Sequence, residues 1–210
     1  MKLVNLDSWK GYDEALGEAK KALLGEELII YPTDTLYGLG ANALREKAVE
    51  KVVVAKKRDK KPISIIVGDF QMMKQYCEVS SETSVLLQEF FPGPVTGVFF
   101  KKYKFSKNIT ETDKIAIRIP HHYFILTIVK SLRFPITATS ANFSGEKPAK
   151  KIEEIPKELK EIAKVVVDGG RCRYGAASTV VDFTMETPKI VREGADLKRI
   201  SEAIRDFSKR

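Results

Sequence analysis

The sequence is poor in the residues that build disulfides and metal centres. Its two cysteines, Cys77 and Cys172, lie far apart and outside any Cys-x-x-Cys pattern, which reads as two free thiols. Its two histidines, His121 and His122, are too few for a histidine-built metal site. No apolar run approaches the length of a membrane span, and the N-terminus Met-Lys-Leu-Val-Asn-Leu-Asp has no apolar core of the signal-peptide kind, so a cytoplasmic location without membrane contact is expected. The chain also lacks a Gly-x-x-x-x-Gly-Lys-Ser/Thr phosphate loop, a Gly-x-Gly-x-x-Gly fingerprint, a His-Glu-x-x-His motif and a Gly-x-Ser-x-Gly elbow. A bound nucleotide would therefore be held by side chains and by non-standard loops. With no repeat, low-complexity linker or composition break, residues 1–210 read as one domain.

What is present is an ordinary globular composition, 43% hydrophobic and 30% charged, with a net charge of +8. That balance suits an anionic partner such as nucleotide, phosphate or RNA, or simply a lysine-rich solvated surface. Apolar periodicity predicts helices over 12–24, 44–57, 84–91, 123–132, 155–164 and 197–207. Strands are predicted over 28–31, 63–67, 95–100, 115–119, 136–139, 165–168, 179–183 and 190–192. Helices and strands alternate, but hairpin-like strand pairs also occur. The expected fold is α+β: a layered α/β sandwich over a mixed sheet.

Four segments carry chemistry. Residues 135–145, Pro-Ile-Thr-Ala-Thr-Ser-Ala-Asn-Phe-Ser-Gly, begin as a buried strand and end as a row of hydroxyls and an amide. A core strand does not need these groups, whereas a pocket for a polar ligand does. Residues 31–40, Tyr-Pro-Thr-Asp-Thr-Leu-Tyr-Gly-Leu-Gly, read as a ligand loop between a strand and a helix, with Asp34 also fitting an ordinary turn cap. Lys56-Lys57-Arg58-Asp59-Lys60-Lys61-Pro62 sits where cations complement a helix C-terminus. If the chain is extended there, Lys56 and Arg58 point the same way and form a phosphate clamp. In the strand Ile115-Ala116-Ile117-Arg118-Ile119, alternation sets Arg118 opposite the isoleucines, on a solvent face or in a cleft.

These pieces, with Pro92-Gly93-Pro94-Val95-Thr96, Ser178-Thr179-Val180-Val181-Asp182 and Arg192-Glu193-Gly194, resemble the YrdC-like family of threonylcarbamoyl-AMP synthases. The resemblance runs from about Tyr31 to Gly194 and fits that family's short, single-domain form. It implies a twisted mixed sheet with helices on both faces and a concave basic cleft. It implies synthesis of threonylcarbamoyl-AMP from L-threonine, bicarbonate and ATP with Mg²⁺, releasing pyrophosphate. Downstream threonylcarbamoyl-transferase machinery then modifies tRNA, with tRNA contact through the basic surface. The implied catalytic pair is Lys56 and Arg58. ATP would be held by Lys56, Arg58, Ser140, Asn142, Ser144 and Arg192, and threonine by Thr33, Thr35, Lys61, Arg118 and Ser178, with no metal-ligating residue. Asp59 and Lys61 depart from the family, where proline and histidine are common. An RNA-binding module and a carbamoyl-transfer domain of hydrogenase-maturation type are the alternatives.

Overall fold

The computed structural model describes residues 1–57 and 62–209. The first helices are set by apolar stripes and, except in α2, by a side-chain cap. In α1 (Trp9–Leu24) the Ser8 hydroxyl accepts from the Gly11 amide at 3.0 Å, and Ala15, Ala19, Ala22 and Leu23 recur at helical spacing on the buried side. In α2 (Glu46–Ala55) the stripe is Ala48, Val49, Val52 and Ala55. Helices α3 (Phe70–Tyr76) and α4 (Ser81–Phe90) are capped by Asp69 and Ser80. Helices α5 (Tyr123–Leu132), α6 (Lys157–Ile162) and α7 (Leu197–Phe207) complete the set.

Among the described residues the strands are β1 (Lys2–Asn5), β2 (Ile29–Tyr31), β3 (Gly38–Gly40), β4 (Ser64–Ile66), β5 (Val95–Phe100), β6 (Lys114–Arg118), β7 (Ile136–Ser140), β8 (Val165–Asp168), β9 (Thr179–Asp182) and β10 (Lys189–Arg192). They form one sheet in the order β1-β8-β2-β3-β7-β4-β6-β5-β9-β10. Pairs β1–β8, β8–β2, β4–β6 and β5–β9 are parallel; the others are antiparallel, so the expected mixed sheet is found. In β2 and β8 successive apolar residues are all buried, which means that both sheet faces are covered there. Helix α1 packs on β1, β2, β8 and α5, while α4 packs on α7.

Several expected boundaries shift. The helix predicted over 155–164 shortens to α6, because Pro156 starts a new helix after a 3₁₀ turn at Ile152–Glu154. The segment 31–40 is not loop throughout: Gly38–Gly40 pairs with β2 on one side and β7 on the other. Its glycines have a packing reason, since a Cβ at Gly38 would lie 2.5 Å from the Tyr31 ring and one at Gly40 2.6 Å from it. The extended conformation expected beyond α2 does not hold at its start. Lys56 is helical (φ −82°, ψ −6°) and Lys57 turns left-handed (φ 48°).

Candidate active site

The centre of the sheet opens into a cavity of about 240 Å³. Thr33, Thr35, Arg118, Ser140, Ser178 and Arg192 all line it, together with Tyr31, Thr96 and Thr139. The walls differ in how their polar groups are used.

The first wall is the connection between β2 and β3. Thr33 is buried, and its hydroxyl donates to the Leu36 carbonyl at 2.7 Å and accepts from the amides of Thr35 (3.1 Å) and Leu36 (3.2 Å). It also lies 3.0 Å from the Thr35 hydroxyl. Since Thr33 spends its one proton on Leu36, Thr35 is the donor of that bond. Thr35 therefore keeps acceptor lone pairs for a ligand, whereas the Thr33 hydroxyl is committed to the turn.

The second wall is the end of β6. Arg118 is buried rather than on a solvent face, because β6 is an interior strand between β4 and β5. Its Nη2 donates to Asp34 Oδ1. The Asp34 carbonyl accepts from the Tyr174 amide at 2.9 Å, which pins the turn. His122 lies near this pair, and burial holds its imidazole below the usual value. Burial likewise pushes the Cys172 thiol up to about 11 and Cys77 up to about 12, so both stay protonated; both are free cysteines.

The third wall joins β5, β9 and β10. The Ser178 and Thr96 hydroxyls are 2.8 Å apart. Arg192 Nη2 donates to the Ser178 carbonyl at 2.8 Å and to its hydroxyl at 3.0 Å. Desolvation, and then the Arg118 charge, disfavour the charged form of Arg192. Two guanidiniums thus face one cavity. Gly194 makes this possible: a Cβ there would stand 2.4 Å from the Ala177 carbonyl oxygen and 2.6 Å from the Ser178 carbonyl.

The fourth wall is the end of β7. The Tyr31 hydroxyl donates to the Thr137 carbonyl at 2.9 Å, and Thr137 in turn bonds the Ala41 amide and the Leu39 carbonyl, which makes it a strand residue. Ser140 stands opposite Gly38 and reaches the cavity. Behind it the buried Lys56 ammonium donates to the carbonyls of Ser140 (2.5 Å) and Asn142 (2.6 Å), and the Ser144 amide donates to the Lys56 carbonyl at 3.3 Å. The Asn142 amide group donates to the Phe143 and Glu146 carbonyls. Lys56, Asn142 and Ser144 do not line the cavity; they continue from Ser140 along its outer side, with Ser144 exposed. Arg58 and Lys61 lie outside the described residues.

Sequence reasoning gave no role to Tyr31 and Thr96. A tyrosine ending an apolar strand before two glycines, and a threonine following Pro-Gly-Pro inside an apolar strand, were the available signals. Among the described residues no group of three or more His, Cys, Asp or Glu side chains gathers to hold a metal, and no helix is long and apolar enough to cross a membrane.

The comparisons agree with this geometry. The Sua5–YciO–YrdC family model, described as telomere recombination, matches residues 21–194. The chain is 39% identical over 178 residues to a relative from Methanocaldococcus jannaschii, covering 83% of each. It is 35% identical over 182 residues to the threonylcarbamoyl-AMP synthase of Pyrococcus abyssi, covering 85% of this chain and 54% of that one. The crystal structure of P. abyssi Sua5 complexed with L-threonine superposes with a TM-score of 0.85 at 32% identity, over 97% of this chain and 60% of that one. The chain thus spans little more than half of the P. abyssi protein. With the family's motifs, fold and cavity in one place, the chain belongs to the Sua5–YciO–YrdC family.

Proposed function

We propose that this chain is a nucleotidyltransferase that makes threonylcarbamoyl-AMP from L-threonine, bicarbonate and ATP and releases pyrophosphate. The observation that carries the reading is the pair of guanidiniums, Arg118 and Arg192, facing one hydroxyl-lined cavity. Arg192 is held where burial and the neighbouring Arg118 charge disfavour its cation, and such a cation is a site awaiting an anion. The identity with the P. abyssi synthase supports the enzyme over an RNA-binding module or a hydrogenase-maturation domain.

The cavity's size supports a division of the parts. About 240 Å³ is smaller than the roughly 300 Å³ and upward that larger ligands occupy, so it suits an amino acid and not a whole nucleotide. Arg118 receives the threonine carboxylate, and Thr35, Ser178 and Thr96 meet its other polar groups. The threonine nitrogen, as the free amine, bonds to the carbon of CO₂ with loss of a proton, or to that of bicarbonate with a C–O bond breaking and water leaving, giving a carbamate. A carbamate oxygen then attacks the α-phosphorus, and the bond to the β-phosphate oxygen breaks. Ser140 marks where the nucleotide enters, and the segment to Ser144 borders it on the open side. Arg192, bonded to Ser178 and lining the same cavity as Ser140, would meet the α-phosphate. The family resemblance gives Arg58 to the nucleotide and Lys61 to threonine, and Lys56 holds the segment from behind. Catalysis is then positioning and charge neutralisation, with no side chain required as a general base. A Mg²⁺ ion would neutralise triphosphate oxygens, with ligands from the nucleotide and water. The adenylate would pass to downstream machinery that modifies tRNA.

The test is pyrophosphate release with ATP, Mg²⁺ and bicarbonate, with and without L-threonine, and detection of the adenylate by mass spectrometry. Threonine-dependent release with the adenylate formed is expected. Release without threonine, or none at all, overturns the reading.

A further inference from the structure

We infer that Asp34 is a positioning residue, whose buried carboxylate orients the Arg118 guanidinium to receive the carboxylate of an amino-acid substrate. This rests on the function proposed above. Asp34 lies between Thr33 and Thr35, which both line the cavity, yet does not line it itself. Its side chain is 1% exposed and that of Arg118 10%, and the two are joined through Oδ1 and Nη2.

The pair is incomplete in an informative way. Asp34 Oδ2 and Arg118 Nε are both buried without a hydrogen-bond partner among the described residues. A pair kept only for stability would be expected to match both forks, because buried unmatched groups cost free energy. A single-point hold on Nη2 instead anchors one end of the guanidinium and leaves its Nη1 N–H groups uncommitted to Asp34. The hold also answers a like charge. Arg192 faces the same cavity, and without a counter-charge the two cations would drive each other apart. Asp34 itself is fixed from behind by the Tyr174 amide on its carbonyl. An arginine planar and stationary before the substrate arrives loses less freedom on binding than a mobile one.

A double-mutant cycle tests this, with threonine affinity measured by calorimetry and threonine and ATP KM by pyrophosphate release. Asp34→Asn keeps the side chain's size and removes its charge. It should raise the threonine Kd and KM roughly tenfold, the scale of one charge-assisted hydrogen bond, and leave the ATP KM within about twofold. In an Arg118→Met background it should add nothing to the threonine Kd, because Asp34 acts through Arg118. An unchanged or tighter threonine Kd in Asp34→Asn, or additive effects in the cycle, overturns the inference. If Asp34→Asn does not fold, the wild type decides by ¹⁵N NMR of arginine side chains. Separate, slowly exchanging Arg118 Nη signals before threonine is added support the hold, and one averaged line overturns it. A wild type that binds threonine but releases no pyrophosphate removes the synthase reading while the calorimetric cycle still judges Asp34. A wild type that binds no threonine overturns both.

Discussion

Two segments of this chain look alike in sequence and behave differently in the fold. Residues 32–37 and 139–146 are both hydroxyl-rich, and both adjoin β3. The first is closed on itself: the Thr33 hydroxyl bonds within its own turn, and Asp34 is paired with Arg118. The second is partly exposed: besides the Asn142 amide group bonding within it, two of its carbonyls are held from behind by the Lys56 ammonium. A row of hydroxyls therefore does not say whether they serve a ligand or the turn. What decides is where the one proton of each hydroxyl goes.

The largest effect should come from breaking the external hold. Lys56→Met removes two charge-assisted hydrogen bonds, a loss of roughly 3 kcal/mol. We expect at least about a hundredfold loss of pyrophosphate release and a lower Tm; near-normal turnover would show that the 139–146 segment holds itself. Gly194→Ala presses a methyl into the Ala177–Ser178 backbone and should cost about 1–3 kcal/mol in denaturant unfolding. It should also raise the threonine KM, since Ser178 must shift.

Thr33→Val and Thr35→Val sharpen the contrast within the closed segment. Thr33→Val should lower stability by about 1–2 kcal/mol, because it strips the turn of its internal bonds. Thr35→Val should change stability by less than about 0.5 kcal/mol and act instead on the threonine KM. Equal effects from the two in thermal melts and kinetics would erase the distinction. Arg118→Lys should raise the threonine KM roughly tenfold at an unchanged ATP KM, because a planar fork becomes a point charge.

The smallest effect concerns pH. Burial depresses the His122 pKa below its ordinary 6.5, so the native state binds fewer protons than the unfolded chain in that range. Its contribution is fully present above pH 6.5 and is lost as pH falls through the depressed value. Wild-type Tm should therefore fall between neutral pH and pH ~5 more steeply than that of His122→Gln; parallel curves would assign the fall to other groups.

Much of this was legible in the sequence. Strong apolar periodicity places α5 and α7 at their expected bounds, and the runs 95–100 and 165–168 are strands. The misses share a physical cause: the information lies in a partner. Nothing in Gly38-Leu39-Gly40 favours a strand; the Tyr31 ring lying over both glycines makes it one. Strand β1 buries only Val4 and exists because β8 runs beside it. Helix α3 is two turns long, too short for periodicity to announce, though Asp69 is a legible cap. At the site, the motifs brought Arg118, Ser140, Ser178 and Arg192 to one cavity, as their chemistry suggested. The direction of Lys56 was not legible, because it depends on a left-handed Lys57 that local sequence gives no reason to expect.

The place of β8 in the sheet bears on how the chain is made. Strand β8 lies between β1 and β2, pairing Leu3 with Val166 and Ile30 with that same residue. Among the described strands, β1 thus pairs with none until β8, which ends at residue 168, has left the ribosome. At roughly 5–20 residues per second, that interval lasts on the order of ten seconds. The N-terminal third emerges with an open strand edge and a loosely covered α1. The exposed Lys2 and Asn5 at the two ends of β1 are suited to that interval, since charge and polarity on an open edge discourage pairing with another chain.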